Sequence, residues 1–184
     1  MAATDEHTVL PIPEFGDPKP SVLIVVAPYY RAIADNLISG AQAVLKAAGA
    51  AHDLVEVPGA LEVPTAIRLA ANRYEGFVAL GCVIRGETTH YETVCNDSSR
   101  GLTLLGLDGM CIGNGILTCE NMEQAVVRAA PDQQDKGGGA ANAALHLIAL
   151  KRRFATSQPP TGGRQTNGDD PILLADQTGL TRTA

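Results

Sequence analysis

Arg85-Gly-Glu-Thr-Thr-His90 gathers a guanidinium, a glycine, a carboxylate, two hydroxyls and an imidazole into six residues. A glycine admits close approach to the backbone, a helix N-terminus attracts an anion, and an imidazole moves protons near neutral pH. The combination suits an anion held beside a proton-transfer group. The same residues also satisfy a plainer reading, in which Gly86 makes a turn, Thr88 or Thr89 caps a helix and His90 lies on the surface. Other residues divide in the same way. Tyr29-Tyr30 could stack a planar ligand or simply cover an edge, and Glu62 could bind or only favour the positive end of its helix. Arg128 and Lys136 could be no more than ordinary basic residues near a helix C-terminus. Lys136-Gly-Gly-Gly139 reads first as a flexible corner. Taken alone, these residues describe an α/β binder of something anionic.

The elements that must position them follow from apolar periodicity. Val22-Leu-Ile-Val-Val26 is an unbroken apolar run, the pattern of a strand buried on both faces. Residues 32–48 place Ile33, Leu37, Ala41, Val44 and Ala48 at helical spacing, with Gly49 as the stop. Residues 54–57 form a second strand ended by Pro58-Gly59, and 62–72 a short helix that tolerates Pro64 in its first turn. A third strand spans 77–84, a helix 91–105 and a fourth strand 110–117. Asn121 caps the next helix with Gln124 in capping-box spacing, and a last helix runs over 139–152. Four βα units with right-handed crossovers give a flavodoxin-like three-layer αβα sandwich on a four-stranded parallel sheet. Ligands then bind beyond the carboxyl ends of the strands, at 28–31, 58–62, 85–90 and 114–118.

Composition narrows the function. The chain has 184 residues, 45% apolar and 18% charged, ordinary for one globular domain. A formal charge of −6 argues against nucleic-acid binding, and no apolar run is long enough for a membrane helix. Cys82, Cys95, Cys111 and Cys119 lack metal-ligand or dithiol spacing and read as reduced thiols in a cytosol. Pro11, Pro13, Pro18 and Pro20 make residues 1–20 an extended N-terminal arm. The domain then covers 21–154, and the Gln-, Pro-, Gly- and Asp-rich residues 155–184 read as a disordered tail.

In chain order, Val57-Pro-Gly-Ala-Leu-Glu-Val-Pro64, Ala79-Leu-Gly-Cys-Val-Ile-Arg-Gly-Glu-Thr-Thr-His-Tyr91, Val94-Cys-Asn96, Gly115-Ile-Leu-Thr118 and Glu123-Gln-Ala125 closely resemble the lumazine synthase family over about residues 21–150. The resemblance implies a cofactor-free transferase of riboflavin biosynthesis. Such an enzyme condenses 5-amino-6-(D-ribitylamino)uracil with 3,4-dihydroxy-2-butanone 4-phosphate. It implies Tyr29 as the stacking aromatic, Ala60, Leu61 and Glu62 as the ribityl-chain segment, and Cys82, Val83 and Ile84 as the strand end that reads the pyrimidine edge. Gly86, Glu87 and Thr88 match the phosphate loop, with Arg128 as the charged fork, His90 as the catalytic histidine and Lys136 as a basic position near the site.

Two positions depart from the family's pattern. Asn114 stands where many relatives carry an aromatic lent by a neighbouring subunit, which implies a more polar lid. The corner Ala130-Pro-Asp-Gln-Gln-Asp135 lacks the glycines of relatives that build sixty-subunit shells. With Pro131 stiffening that turn, a pentamer with sites shared between adjacent subunits is the expected assembly. The alternative is a non-catalytic paralogue that binds riboflavin-like ligands, since a pocket does not guarantee turnover.

Overall fold

The computed structural model describes residues 10–156, a range that excludes most of the predicted tail and the first nine residues of the predicted arm. Four strands, β1 (Ser21–Ala27), β2 (Ala51–Glu56), β3 (Gly76–Ile84) and β4 (Cys111–Cys119), form an all-parallel sheet in the order β2-β1-β3-β4. Five helices accompany them: α1 (Arg31–Ala47), α2 (Val63–Ala70), α3 (His90–Leu107), α4 (Met122–Ala129) and α5 (Lys136–Thr156).

Strand alternation divides the core between two helical layers. Val22, Ile24 and Val26 of β1 bury against Leu37, Ala125 and Leu145 of α1, α4 and α5. Leu23, Val25 and Ala27 bury on the other face with Val63 and Ile67 of α2 and Leu102 of α3. The three-layer α/β sandwich expected from the apolar runs is therefore the fold. Among the described residues no helix is long and apolar enough to cross a membrane.

Three local expectations change. The second strand begins at Ala51, not 54, because pairing with β1 starts at Ser21↔Ala51. His52 and Asp53 hid it, since an edge strand keeps polar residues in water. The fourth strand continues to Cys119, with Thr118 and Cys119 opposite Val83 and Ile84.

The largest correction concerns Lys136-Gly-Gly-Gly139, which is the first turn of α5 and not a flexible corner. Asp135 Oδ1 accepts from Gly138 N at 3.0 Å, satisfying one of the free donors at the helix start. The glycines let α5 lie directly on α1, for a Cβ at Gly137 would fall 2.1 Å from the Leu37 carbonyl oxygen. Close helix packing thus outweighs glycine's helix penalty of roughly 1 kcal/mol.

Residues 10–20 lie extended along α5. Asn142 Nδ2 donates to Leu10 O at 2.8 Å, His146 Nε2 to Pro11 O at 3.0 Å and Arg152 Nη1 to Pro18 O at 2.8 Å. Arg152 also donates from Nε and Nη2 to Glu75, at 3.0 and 2.7 Å, and holds that carboxyl below its usual range. The helix continues through Ala155 and Thr156, two residues past the predicted boundary, and the rest of the predicted tail lies outside the described residues.

Candidate active site

The sheet order reverses between β1 and β3, and there a cavity of about 540 Å³ opens beyond their carboxyl ends. This is the switch point at which open parallel sheets bind ligands, and the volume suits a small organic molecule. Of the residues singled out in the sequence, Tyr29, Ala60, Leu61, Glu62, Cys82, Val83, Ile84, Gly86, Thr88 and His90 line it. Glu87 sits on the same loop, exposed and outside the lining.

Each wall has a local cause. The third strand outruns its neighbour, because β1 pairing ends at Ala27↔Gly81 while pairing to β4 continues to Ile84↔Cys119. The β1-facing edge of Cys82, Val83 and Ile84 consequently has no strand beside it. Backbone donors and acceptors left open in this way can read the edge of a planar ring. Tyr29 stands at the rim with 76% of its surface exposed, its ring edge-on to Tyr30 at 5.1 Å. Tyr30 packs on the core, and burial raises its hydroxyl pKa above the usual value.

His90 is the first residue of α3 and lines the cavity, at a helix start that leaves backbone donors without intrahelical partners. The expected threonine cap takes another form. Thr89 makes no side-chain cap bond, and Thr88 Oγ1 instead accepts from His90 N at 3.4 Å. Tyr91 and Val94 complete this wall and were not singled out as ligand contacts. Val94 follows His90 by four residues, so helical spacing was the signal that could have found it. Burial pushes the Cys82 thiol up to about 12, so it stays protonated and supplies no thiolate.

Asn114, Arg128 and Lys136 are not in this cavity. They line a second crevice of about 440 Å³ between β4, α4 and α5. Arg128 is fixed there through Nη1, which donates to Gln124 O at 3.2 Å. The helix beneath it is capped as its sequence requires, Asn121 Oδ1 accepting from Gln124 N at 3.0 Å. The return bond of the capping box differs, for Gln124 Oε1 accepts from Glu120 N. Asn114 Oδ1 accepts from Ile116 N at 3.0 Å, so its side chain folds back on its own strand. The chain therefore presents one cavity lined by Tyr29, Tyr30 and His90 and, apart from it, a crevice lined by Arg128 and Lys136.

Comparison with known proteins agrees with this architecture. The family profile for 6,7-dimethyl-8-ribityllumazine synthase matches residues 19–152. A protein of that name from Jannaschia sp. (strain CCS1) is 53% identical over 155 residues, covering 83% of this chain and 86% of its own. One from Sphingopyxis alaskensis is 56% identical over 135 residues, covering 72% and 96%. One from Bartonella tribocorum is 54% identical over 144 residues, covering 76% and 95%.

Proposed function

The chain belongs to the 6,7-dimethyl-8-ribityllumazine synthase family, and from that premise we infer how its cavity and its crevice, as two half-sites, perform the condensation of 5-amino-6-(D-ribitylamino)uracil with 3,4-dihydroxy-2-butanone 4-phosphate. The observation that carries the reading is the cavity at the β1/β3 switch point, with the open edge of Cys82–Ile84 on one side and His90 on the other. Tyr29 stacks on the pyrimidine, whose polar edge pairs with the backbone of Cys82, Val83 and Ile84. The ribityl hydroxyls lie along Ala60 and Leu61 and donate to the Glu62 carboxylate. Gly86, Glu87 and Thr88 flank the ketone phosphate, with the Thr88 hydroxyl and the α3 N-terminus facing its anionic end.

The chemistry begins when the primary amine of the pyrimidine attacks the ketone carbonyl and an imine forms with loss of water. His90 takes the proton from the attacking nitrogen and returns one to the departing oxygen. Elimination then releases phosphate, the chain tautomerises, and the ribityl-bearing nitrogen closes the second ring with further loss of water. Amines and ketones take these steps unassisted, so the main contribution of the site is to hold both substrates in register, an effect worth up to about 7 to 11 kcal/mol.

A dianionic substrate beside His90 needs a cation, and the cationic half-site lies elsewhere on the protomer. A closed ring resolves this, each seam placing the Asn114, Arg128 and Lys136 crevice of one copy over the His90 cavity of the next. Exposed apolar residues support such contacts: Leu69, Leu104 and Leu107 on α2 and α3 are 83%, 61% and 82% exposed. Five copies is the number implied by resemblance. The 130–135 corner favours the pentamer alone, because Gln133 N and Asp135 N both donate to Ala130 O and fix the turn. We place the enzyme in the cytosol, in keeping with four unpaired cysteines.

Purified full-length chain mixed with both substrates, and with no added cofactor, is expected to generate the lumazine chromophore at a rate proportional to protein. Absence of that chromophore, with both substrates intact, would refute the reading.

A further inference from the structure

Arg85 follows the last residue of β3 and turns outside the cavity lining, where it holds three segments together. Its backbone N donates to Cys119 O at 2.9 Å, continuing the β3–β4 pairing by one step. Its Nε donates to Glu120 Oε2 at 2.7 Å, just beyond β4, and its Nη1 donates to Glu92 in the first turn of α3. The guanidinium carbon lies 4.2 Å from the centre of the Tyr91 ring, the residue after His90. One planar fork thus joins the end of β3, the end of β4 and the start of α3.

Only residues 86–89 separate this clamp from His90, and among the described residues no side chain hydrogen-bonds to the His90 imidazole. Its aim therefore depends on where the backbone of the first α3 turn is held. We propose that Arg85 is a positioning residue for the condensation, fixing through Glu92, Glu120 and Tyr91 the loop and helix start that direct His90 at the substrates. The inference rests on the functional reading above. A lysine would replace only part of the clamp, for an ammonium is a point charge that cannot span two carboxylates as a planar fork. Both ion pairs are partly exposed, and such pairs contribute little to global stability. The consequence of losing them should be local, and misplacing a catalytic group by about 1 Å can cost roughly 100-fold in rate.

A double-mutant cycle separates positioning from general damage. Arg85→Met should lower kcat about tenfold in the otherwise native chain but less than about twofold in a His90→Ala background, because the group it aims is already gone. Arg85→Lys should recover only part of the loss. If Arg85→Met does not fold, Arg85→Lys and Glu120→Gln are compared across the same two backgrounds. Amide hydrogen exchange supplies a readout independent of turnover: residues 86–91 should exchange about tenfold faster in the variant, with α5 unchanged. Equal losses of kcat in both backgrounds, no loss in either, or unaltered exchange at 86–91 would each overturn the proposal. Native protein without turnover would instead remove the functional reading, leaving exchange to decide whether Arg85 holds the loop.

Discussion

His90→Ala is expected to lower kcat about 100-fold while leaving the KM of each substrate within about twofold, the lower end of what general acid–base catalysis contributes. The low end applies because the larger contribution comes from holding amine and ketone together. On the proposed reading that contribution comes from Tyr29, Glu62, the Cys82–Ile84 edge and the phosphate contacts, and the substitution leaves those cavity-lining residues in place. Imine formation and ring closure then proceed with water as the proton carrier. Turnover should persist well above the uncatalysed rate, and steady-state kinetics with each substrate varied in turn will separate the two effects. Unchanged kcat would remove His90 from the chemistry. Complete loss together with weakened binding would point to a structural role for the residue.

Arg128→Ala should act on the other substrate parameter, raising the KM of the ketone phosphate about 10- to 100-fold and leaving that of the pyrimidine nearly unchanged. A hydrogen bond to a charged group is worth roughly 1.5 to 3 kcal/mol, and each 1.4 kcal/mol is a factor of ten. The guanidinium is already oriented by its bond to Gln124 O, and it rides on a helix capped by Asn121. It therefore loses little freedom when it meets the phosphate. Arg128→Lys should recover only part of the affinity, since a point charge replaces a planar fork. A KM effect confined to the pyrimidine would place Arg128 on the wrong substrate.

Much of this arrangement could be read in the residues. The continuous run Val22–Val26 required a strand covered on both faces, and its neighbour at 77–84 placed Cys82, Val83 and Ile84 at a carboxyl end where ligands bind. The loop 85–90 followed from the same rule, and its agreement with a family pattern gave the reaction. Other features had no signal in periodicity. The start of β2 was concealed because an edge strand keeps His52 and Asp53 solvated. The turn at Gly137 read as a break because propensity penalises glycine, whereas the backbone of α1 leaves space for nothing larger.

The separation of Arg128 from His90 into two crevices was likewise invisible to composition or spacing, since it depends on which face of the sheet and which helices enclose each loop. By its place in the sequence Arg85 belongs to the 85–90 binding loop. Its contacts to Glu92 and Glu120 arise from three chain segments that meet only in the folded protein.

The claim that each site forms across a seam is tested most directly by mixing His90→Ala and Arg128→Ala chains, dissociated and reassembled together in equal amounts, and assaying at ketone phosphate well below the KM of the Arg128 variant. Random assembly gives about a quarter of the seams both an intact imidazole and an intact guanidinium, from different protomers. Turnover in the mixed assembly should therefore approach about a quarter of the native value, far above either parent. Activity no greater than the mean of the two parents, in assemblies shown to contain both chains, would contradict the shared site.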